Sequence, residues 1–168
     1  MTESFVDAVT VPQVIVGVDD KAAGLAALRY AVAEARRRGM PLHAVRIQHT
    51  VCPGDFLDID LAFALAFGGY PEDVPVYREL QLGAAGPGLA ARPHNPADLL
   101  VVGTSGRGWW HALWSGSASR VCLRKARCQV LIVPGPELGR RVRGRRFSLV
   151  RKDDLWDEFD RAQSARGQ

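Results

Sequence analysis

The sequence has few of the residues that build metal centres and disulfide frameworks. Its three cysteines, Cys52, Cys122 and Cys128, are odd in number and lack C-x-x-C spacing, which argues against both a disulfide framework and a zinc site. The four histidines are scattered without metal-ligand spacing. Cys122 and Cys128 fall in apolar stretches, where buried thiols are ordinary, so we expect neither metal binding nor redox chemistry from these residues.

Long apolar runs are also missing. No stretch of 18 apolar residues occurs, so no membrane-spanning helix is predicted. The first seven residues lack the basic start and apolar core of a signal peptide. We therefore expect a cytoplasmic protein that does not contact membranes.

The excess of positive charge lies in one segment. The net charge is +4, yet the rest of the chain is slightly acidic once a short run of basic residues is set aside. These residues are Arg140, Arg141, Arg143, Arg145, Arg146, Arg151 and Lys152. The basic pI of about 9.3 thus describes a tail and not a binding face, and no nucleic-acid partner is expected.

Apolar runs alternate with helical patterns along the chain, which predicts an α/β fold with a parallel sheet. The predicted strands are 14–18, 42–47, 74–82, 99–102 and 130–133. The predicted helices are 22–38, 57–67, 89–92 and 118–125. With 168 residues, 47% of them apolar, we expect a flexible N-terminus (1–12), one domain (13–135) and a charged C-terminal extension (136–168).

The middle of the domain contains many helix breakers. Gly83-Ala-Ala-Gly86-Pro87-Gly88, with Pro93 and Pro96, leaves only 89–92 for a helix. Both middle helices are expected to be short. We expect the sheet face under the second one to expose apolar strand residues, which a partner or the tail would cover.

A glycine-rich stretch follows the strand at 99–102. Glycines 103, 106 and 116 permit positive φ and close approach to a bulky anion, and Ser117 stands where a helix N-cap is expected. Free amides at a helix start attract anions, so the stretch is either a phosphate cradle or a set of plain turns. It matches neither a P-loop nor the G-x-G-x-x-G motif. Because parallel strands end at one edge of the sheet, Asp19, Ile47 and Gly103 should converge there, which favours the cradle.

Several motifs resemble the universal stress protein family. Gly103-x2-Gly106-x9-Gly116-Ser117, preceded by Asp98-Leu-Leu-Val-Val, resembles its nucleotide-binding signature. Val16-Gly-Val-Asp19 and Cys128-Gln-Val-Leu-Ile-Val133 resemble its opening and closing strands. The resemblance covers roughly residues 10–135. It implies a doubly wound five-stranded parallel sheet in the flavodoxin-like order 3-2-1-4-5, binding of ATP with or without Mg²⁺, and a homodimer formed through the final strand.

The resemblance also implies roles for individual residues. Asp19 would face the ribose, Val18 the base, and the backbone of Ile47 the adenine edge. The phosphates and ribose would be surrounded by Gly103, Thr104, Ser105, Gly106, Arg107, Gly116, Ser117 and Ala118.

The chain departs from the family pattern at two places. Lys21 replaces a small residue or Ser and would be solvated or approach a phosphate. The glycine-rich stretch also contains three tryptophans, Trp109, Trp110 and Trp114. Their large side chains would pack beneath the loop or between subunits, or they would cover or obstruct the nucleotide.

Two classes of function follow. The first is a stress-response regulatory protein that binds ATP or another adenine nucleotide and acts through dimerisation or a partner. The sequence suggests no Ser-His-Asp set and no paired carboxylates, so we expect no enzyme; Asp19 alone could only hold a Mg²⁺ ion carried by phosphates. The second is a domain without nucleotide that serves as a protein interaction module. Leu155, Trp156 and Phe159 have amphipathic spacing, so the extension would dock back, bind another protein or remain solvated.

Overall fold

Five parallel strands alternate with four helices in the computed structural model, which describes residues 11–19, 21–50, 56–104 and 118–135. The strands are β1 (Val14–Gly17), β2 (Leu42–Gln48), β3 (Val76–Leu82), β4 (Leu99–Thr104) and β5 (Gln129–Pro134). The helices are α1 (Ala22–Arg38), α2 (Phe56–Phe67), α3 (Ala85–Ala91) and α4 (Ala118–Lys125). The strand order is β3-β2-β1-β4-β5, which confirms the order implied by the family resemblance.

Strand β1 forms the centre of the sheet. Val14 is in register with Leu42 of β2 on one side and with Leu99 of β4 on the other. Helices α1 and α2 cover one face of the sheet, and α3 and α4 cover the other. Because both faces are covered, Val14, Ile15 and Val16 are fully buried, and the strand is apolar at consecutive positions instead of alternating.

Helix α1 has the properties expected of a core-facing helix. Its small and aliphatic residues Ala27, Leu28, Ala31, Val32 and Ala35 are buried against the sheet. Three arginines occupy its last turn, where the helix dipole favours positive charge. The helix ends at Gly39, which adopts φ 63° and so makes the left-handed turn that other residues rarely tolerate.

Helix α3 corrects the prediction for the middle region. The structure has a helix over Ala85–Ala91, whereas the sequence predicted only 89–92. Pro87 is tolerated because it lies in the first turn, where backbone N–H groups have no intrahelical partner. A Cβ atom at Gly86 would lie 2.8 Å from Val121 Cβ, and one at Gly88 would lie 2.6 Å from Ile47 Cδ1. These glycines therefore allow α3 to approach α4 and β2, and the helix is short but present.

Exposed apolar residues are distributed differently from the prediction. On the α3 side, strand β3 presents Tyr77, Glu79 and Gln81, and the Tyr77 ring stacks on His43 at 4.9 Å between centroids. Most of the large exposed apolar side chains of the described residues lie instead on α2 or close to it. The uncovered apolar surface is thus mainly a helix face and not the strand surface beneath α3.

Asp98 joins the starts of β1 and β4. Its side chain is only 1% exposed, and it accepts hydrogen bonds from the backbone N–H groups of Gln13, His94 and Asn95, each at 3.0 Å. A buried carboxylate needs such partners. Asp98 lies at the amino edge of the sheet, opposite the edge where Asp19 lies, so it has a structural role.

Candidate functional site

The carboxyl edge of the sheet brings together two of the predicted site segments. Strands β1 and β4 are neighbours, with Val14 in register with Leu99 and Val16 with Val101. Both strands end at this edge, β1 just before Val18 and Asp19, and β4 with Gly103 and Thr104. The position expected for a ligand in an open α/β sheet is therefore present at this edge.

Asp19 is held against the start of helix α1. Its Oδ1 accepts a hydrogen bond from the Lys21 backbone N–H at 3.0 Å, while Lys21 itself is exposed. A Cβ atom at Gly24 would overlap this carboxylate and would lie 2.8 Å from the Asp19 carbonyl oxygen. Gly24 therefore provides the space that the Asp19 side chain occupies.

The sequence interpretation did not include Gly24. The signal was available, because a single glycine interrupts an Ala- and Leu-rich helical stretch five residues after a strand-end aspartate. Glycine in a helix interior lowers stability by roughly 1 kcal/mol relative to alanine. A glycine at this position therefore indicates that a close packing contact excludes a side chain.

Gly103 lies directly against the first turn of α1. A Cβ atom there would overlap the Ala23 carbonyl oxygen and would lie 3.0 Å from the Gly24 backbone nitrogen. Asp19, the first turn of α1 and the end of β4 thus form one packed unit. Gly103 needs to be glycine for this packing, a requirement that the sequence interpretation attributed to phosphate approach.

Helix α4 is attached to the same unit. Ser119, in its first turn, is buried and donates a hydrogen bond from Oγ to the Gly103 carbonyl oxygen at 3.2 Å. Thr104 is buried as well, and its carbonyl oxygen accepts a hydrogen bond from the Gly135 N–H at 3.1 Å. The start of α4 is therefore fixed next to the end of β4. Ser119 was another residue that the sequence interpretation did not include.

Val18 and Ile47 contribute mainly to packing. Val18 is 6% exposed, and its N–H donates to the Val45 carbonyl oxygen at 2.9 Å. Ile47 is partly buried, pairs with Gln81 of β3 and directs its Cδ1 toward Gly88. Both residues lie near the carboxyl edge, and their predicted contacts with the base stay predictions.

The remaining predicted residues belong to the loop before α4. Ala118 is the first residue of α4. The others lie outside the described residues, and so do the three tryptophans of the loop. These predicted site residues are Ser105, Gly106, Arg107, Gly116 and Ser117.

The described ranges contain no cluster of three or more His, Cys, Asp or Glu side chains that could hold a metal ion. A magnesium ion at the carboxyl edge would therefore take Asp19 as its protein ligand from this part of the chain and the remainder from phosphates and water. Mg²⁺ is commonly bound in that way, through one or two carboxylates and the substrate phosphates.

A surface recess of about 370 Å³ lies away from this edge, lined by residues of α2, β3 and the segment between them. Its polar groups are paired with one another. The Tyr70 hydroxyl donates to Asp60, and Arg78 Nη1 donates to the same carboxylate at 2.8 Å. Burial and the Asp60 carboxylate raise the pKa of Tyr70 to about 12, so this hydroxyl stays protonated. The recess therefore offers no reactive group.

The cysteines do not form a reactive centre in the described residues. Cys122 and Cys128 are both buried, as predicted. Burial raises the pKa of the Cys122 thiol to about 12, and the thiolate is the reactive form. Cys52 lies outside the described residues. In the same ranges, no helix is long and apolar enough to cross a bilayer.

Comparison with known proteins adds family information. Residues 71–134 match the family model described as the universal stress protein family. Universal stress proteins of Mycobacterium tuberculosis and Mycobacterium bovis are each 33% identical over 131 residues, covering 71% of this chain. The match covers 44% of each relative, so the chain spans less than half the length of these curated proteins.

Solved structures share the fold at low sequence identity. A universal stress protein in complex with cAMP superimposes with a TM-score of 0.61 at 24% identity, covering 73% of this chain and 96% of that one. A universal stress protein from Archaeoglobus fulgidus in complex with dAMP gives a TM-score of 0.50 at 19% identity, covering 73% and 97% of the two chains. These similarities establish the fold.

Proposed function

Because the chain belongs to the universal stress protein family, we propose that it is a cytoplasmic regulatory protein that binds an adenine nucleotide, ATP or AMP, at the carboxyl edge of its sheet. Binding would be transmitted through dimerisation or a protein partner. No covalent chemistry is part of the proposal, since Asp19 is the single carboxylate that we place at the ligand.

The observation that carries the proposal is the packed unit of Asp19, α1 and the end of β4. Asp19 is fixed by Lys21 N–H and by the space at Gly24, close to Gly103. The glycine-rich loop begins directly after Thr104, and α4 begins directly after Ser117. A carboxylate suited to a ribose hydroxyl thus lies close to the end of β4, from which the loop begins, and the amides of that loop, together with the start of α4, would hold phosphate.

The ligands of structural neighbours support the same chemical class. The neighbours whose structures contain cAMP and dAMP match this chain over 96% and 97% of their own lengths, with TM-scores of 0.61 and 0.50. Both ligands combine adenine, a sugar and one phosphate. We therefore propose that adenine and ribose contribute to recognition and that the loop accommodates one or more phosphates.

Dimerisation is proposed through β5 (Gln129–Pro134), which ends the sheet opposite β3. An edge strand presents unpaired backbone groups that a second strand can bind. Ile132 of this strand is only partly buried, so its apolar side chain is available to a second copy, whereas Val130, Leu131 and Val133 are buried in the protomer's own core.

Titration calorimetry of the full chain with ATP, AMP and cAMP, with and without Mg²⁺, tests the proposal. Gly106→Val should weaken binding at least tenfold, about 1.4 kcal/mol, because a side chain would occupy the approach of the phosphate. Asp19→Asn should also weaken binding. Asp73→Asn is the matched control, since Asp73 is exposed and pairs with Arg36 away from the carboxyl edge. Unchanged affinity in a folded Gly106→Val protein would refute the loop as the phosphate site.

The short helix α3 and the exposed apolar face of α2 favour a second function, a protein interaction module without nucleotide. In that case the terminal strand and residues 136–168 would bind a protein partner. Absence of heat with each nucleotide at millimolar concentration would support this alternative over nucleotide binding.

A further inference from the structure

Helix α2 has an unusually apolar outer face. Leu57, Leu61 and Leu65 are 67%, 50% and 53% exposed, and their spacing of four places them on one side of the helix. We call these three residues the α2 stripe. Ala64, also exposed, lies beside it and would allow another helix to approach closely.

The exposure of the stripe is not caused by poor attachment of α2. Its inner residues Ile59, Ala62 and Phe63 are almost completely buried in the core. The helix therefore has two apolar faces, one used by its own fold and one directed outward. A continuous exposed apolar patch on a soluble protein commonly marks an interaction surface.

The charges at the two ends of the stripe indicate what covers it. Asp58 lies in the first turn of α2, with its carboxylate 44% exposed and paired with Arg46 at 2.9 Å. Arg29 lies at the other end, where it donates hydrogen bonds to the carbonyl oxygens of Leu65 and Ala66, each at 3.3 Å. The stripe thus runs from an Asp58–Arg46 ion pair whose carboxylate is the more exposed partner to the exposed guanidinium group of Arg29. A surface with this polarity is complementary to its own inverted copy.

We propose that α2 of one protomer packs antiparallel on α2 of a second copy, about a two-fold axis that passes near Leu61. Leu61 then faces Leu61 of the other copy, and Leu57 faces Leu65. Each Asp58 is brought toward Arg29 of the other copy, and the two helix dipoles are opposed. The helices would approach to roughly 8–10 Å, as in other packed helix pairs.

This interface is separate from the dimer proposed through β5. Helix α2 packs beside β3, and β3 and β5 form opposite edges of the sheet. Both contacts can therefore form at once, and the two together would give assemblies larger than a dimer. The α2 contact does not depend on nucleotide binding.

Cysteine cross-linking tests the contact and its direction. In a full-length Cys52→Ser background, Leu61→Cys should be cross-linked to a dimer by a short bis-maleimide at least tenfold faster than Ala33→Cys, an exposed position on α1. Leu57→Cys should cross-link efficiently with Leu65→Cys in a mixture and poorly with itself. Equal rates for positions 61 and 33 would overturn the proposal, and so would Leu57→Cys cross-linking to itself as fast as to Leu65→Cys.

Sedimentation equilibrium provides an independent measurement. Leu61→Glu should raise the dissociation constant of one association step at least tenfold. Leu82→Glu, at a position 58% exposed at the end of β3, should leave it unchanged. Circular dichroism confirms that both variants are folded. An unchanged mass distribution in Leu61→Glu, or capture of the stripe by residues 153–160 of the same chain, would overturn the proposal.

Discussion

Replacing Gly88 by alanine tests how closely helix α3 lies on strand β2. The new Cβ atom would lie 2.6 Å from Ile47 Cδ1, about 1 Å inside a normal carbon contact. Overpacking of this kind lowers the free energy of unfolding by about 1–3 kcal/mol, while replacing glycine by alanine in a helix raises it by about 1 kcal/mol. We expect Gly88→Ala to lower the free energy of unfolding by about 1 kcal/mol.

Ile47→Val removes the one atom that the new methyl group would overlap, since its other near neighbours, Cδ and Nε2 of Gln81, lie at 3.5 Å. Alone, it should lower the free energy of unfolding by about 1 kcal/mol, as deletion of a buried methyl group does. In the Gly88→Ala background the same change should cost almost nothing, because the alanine methyl group fills the vacated space. The two substitutions should therefore be coupled by about 1 kcal/mol.

Urea unfolding followed by far-UV circular dichroism, on wild type, both single variants and the double variant, measures this coupling. Gly86→Ala is the control, since its Cβ would meet Val121 Cβ at 2.8 Å, which Ile47→Val does not affect. Combining Gly86→Ala with Ile47→Val should be additive. If Gly88→Ala and Ile47→Val are additive within about 0.5 kcal/mol, the close contact of α3 with β2 is refuted.

Three further predictions concern the buried residues Asp98 and Cys122 and the half-buried His43. Asp98→Asn should lower the free energy of unfolding by about 2 kcal/mol, since an amide cannot accept all three N–H groups; an unchanged urea midpoint would contradict this. Burial lowers the pKa of His43 below 6.5, so the unfolded chain binds this proton more readily. Stability should fall as the pH drops through 6.5, and His43→Gln should remove that part of the pH dependence; identical profiles would exclude the effect. The thiol of Cys122, with its pKa raised to about 12, should react with a disulfide reagent only on unfolding. Prompt reaction without urea in a variant that carries both Cys52→Ser and Cys128→Ser would refute its burial.

The strands were predictable because a strand that is buried on both faces of the sheet is apolar at consecutive positions. Val14, Ile15 and Val16 are consecutive apolar residues, as are 99–102, and each group is a buried strand. The order of the strands was not predictable from these runs, because an apolar run does not specify its neighbour. The order came from the resemblance of the glycine-rich stretch to a known family.

Helix α3 shows where local rules fail. Gly86, Pro87 and Gly88 each disfavour a helix interior, and the prediction therefore started the helix at residue 89. These glycines are needed because α3 packs closely on Val121 and Ile47, which are distant in sequence. Tertiary packing overrides local propensity at this point, and one sequence alone does not reveal the contact.

Gly103 illustrates the limit of assigning a functional role to a glycine by its motif. Its position in the phosphate-loop pattern predicted contact with the ligand, yet a side chain there would overlap the Ala23 carbonyl oxygen even without any ligand. A Gly103→Ala variant should therefore lose stability whether or not nucleotide binds, because α1 and β4 would have to separate. Loss of affinity in that variant would not distinguish a ligand contact from a displaced helix. Gly106 lies outside the described residues, so loss of affinity in Gly106→Val supports a ligand contact when the free energy of unfolding of that variant matches the wild type, which Gly103→Ala should fail to do.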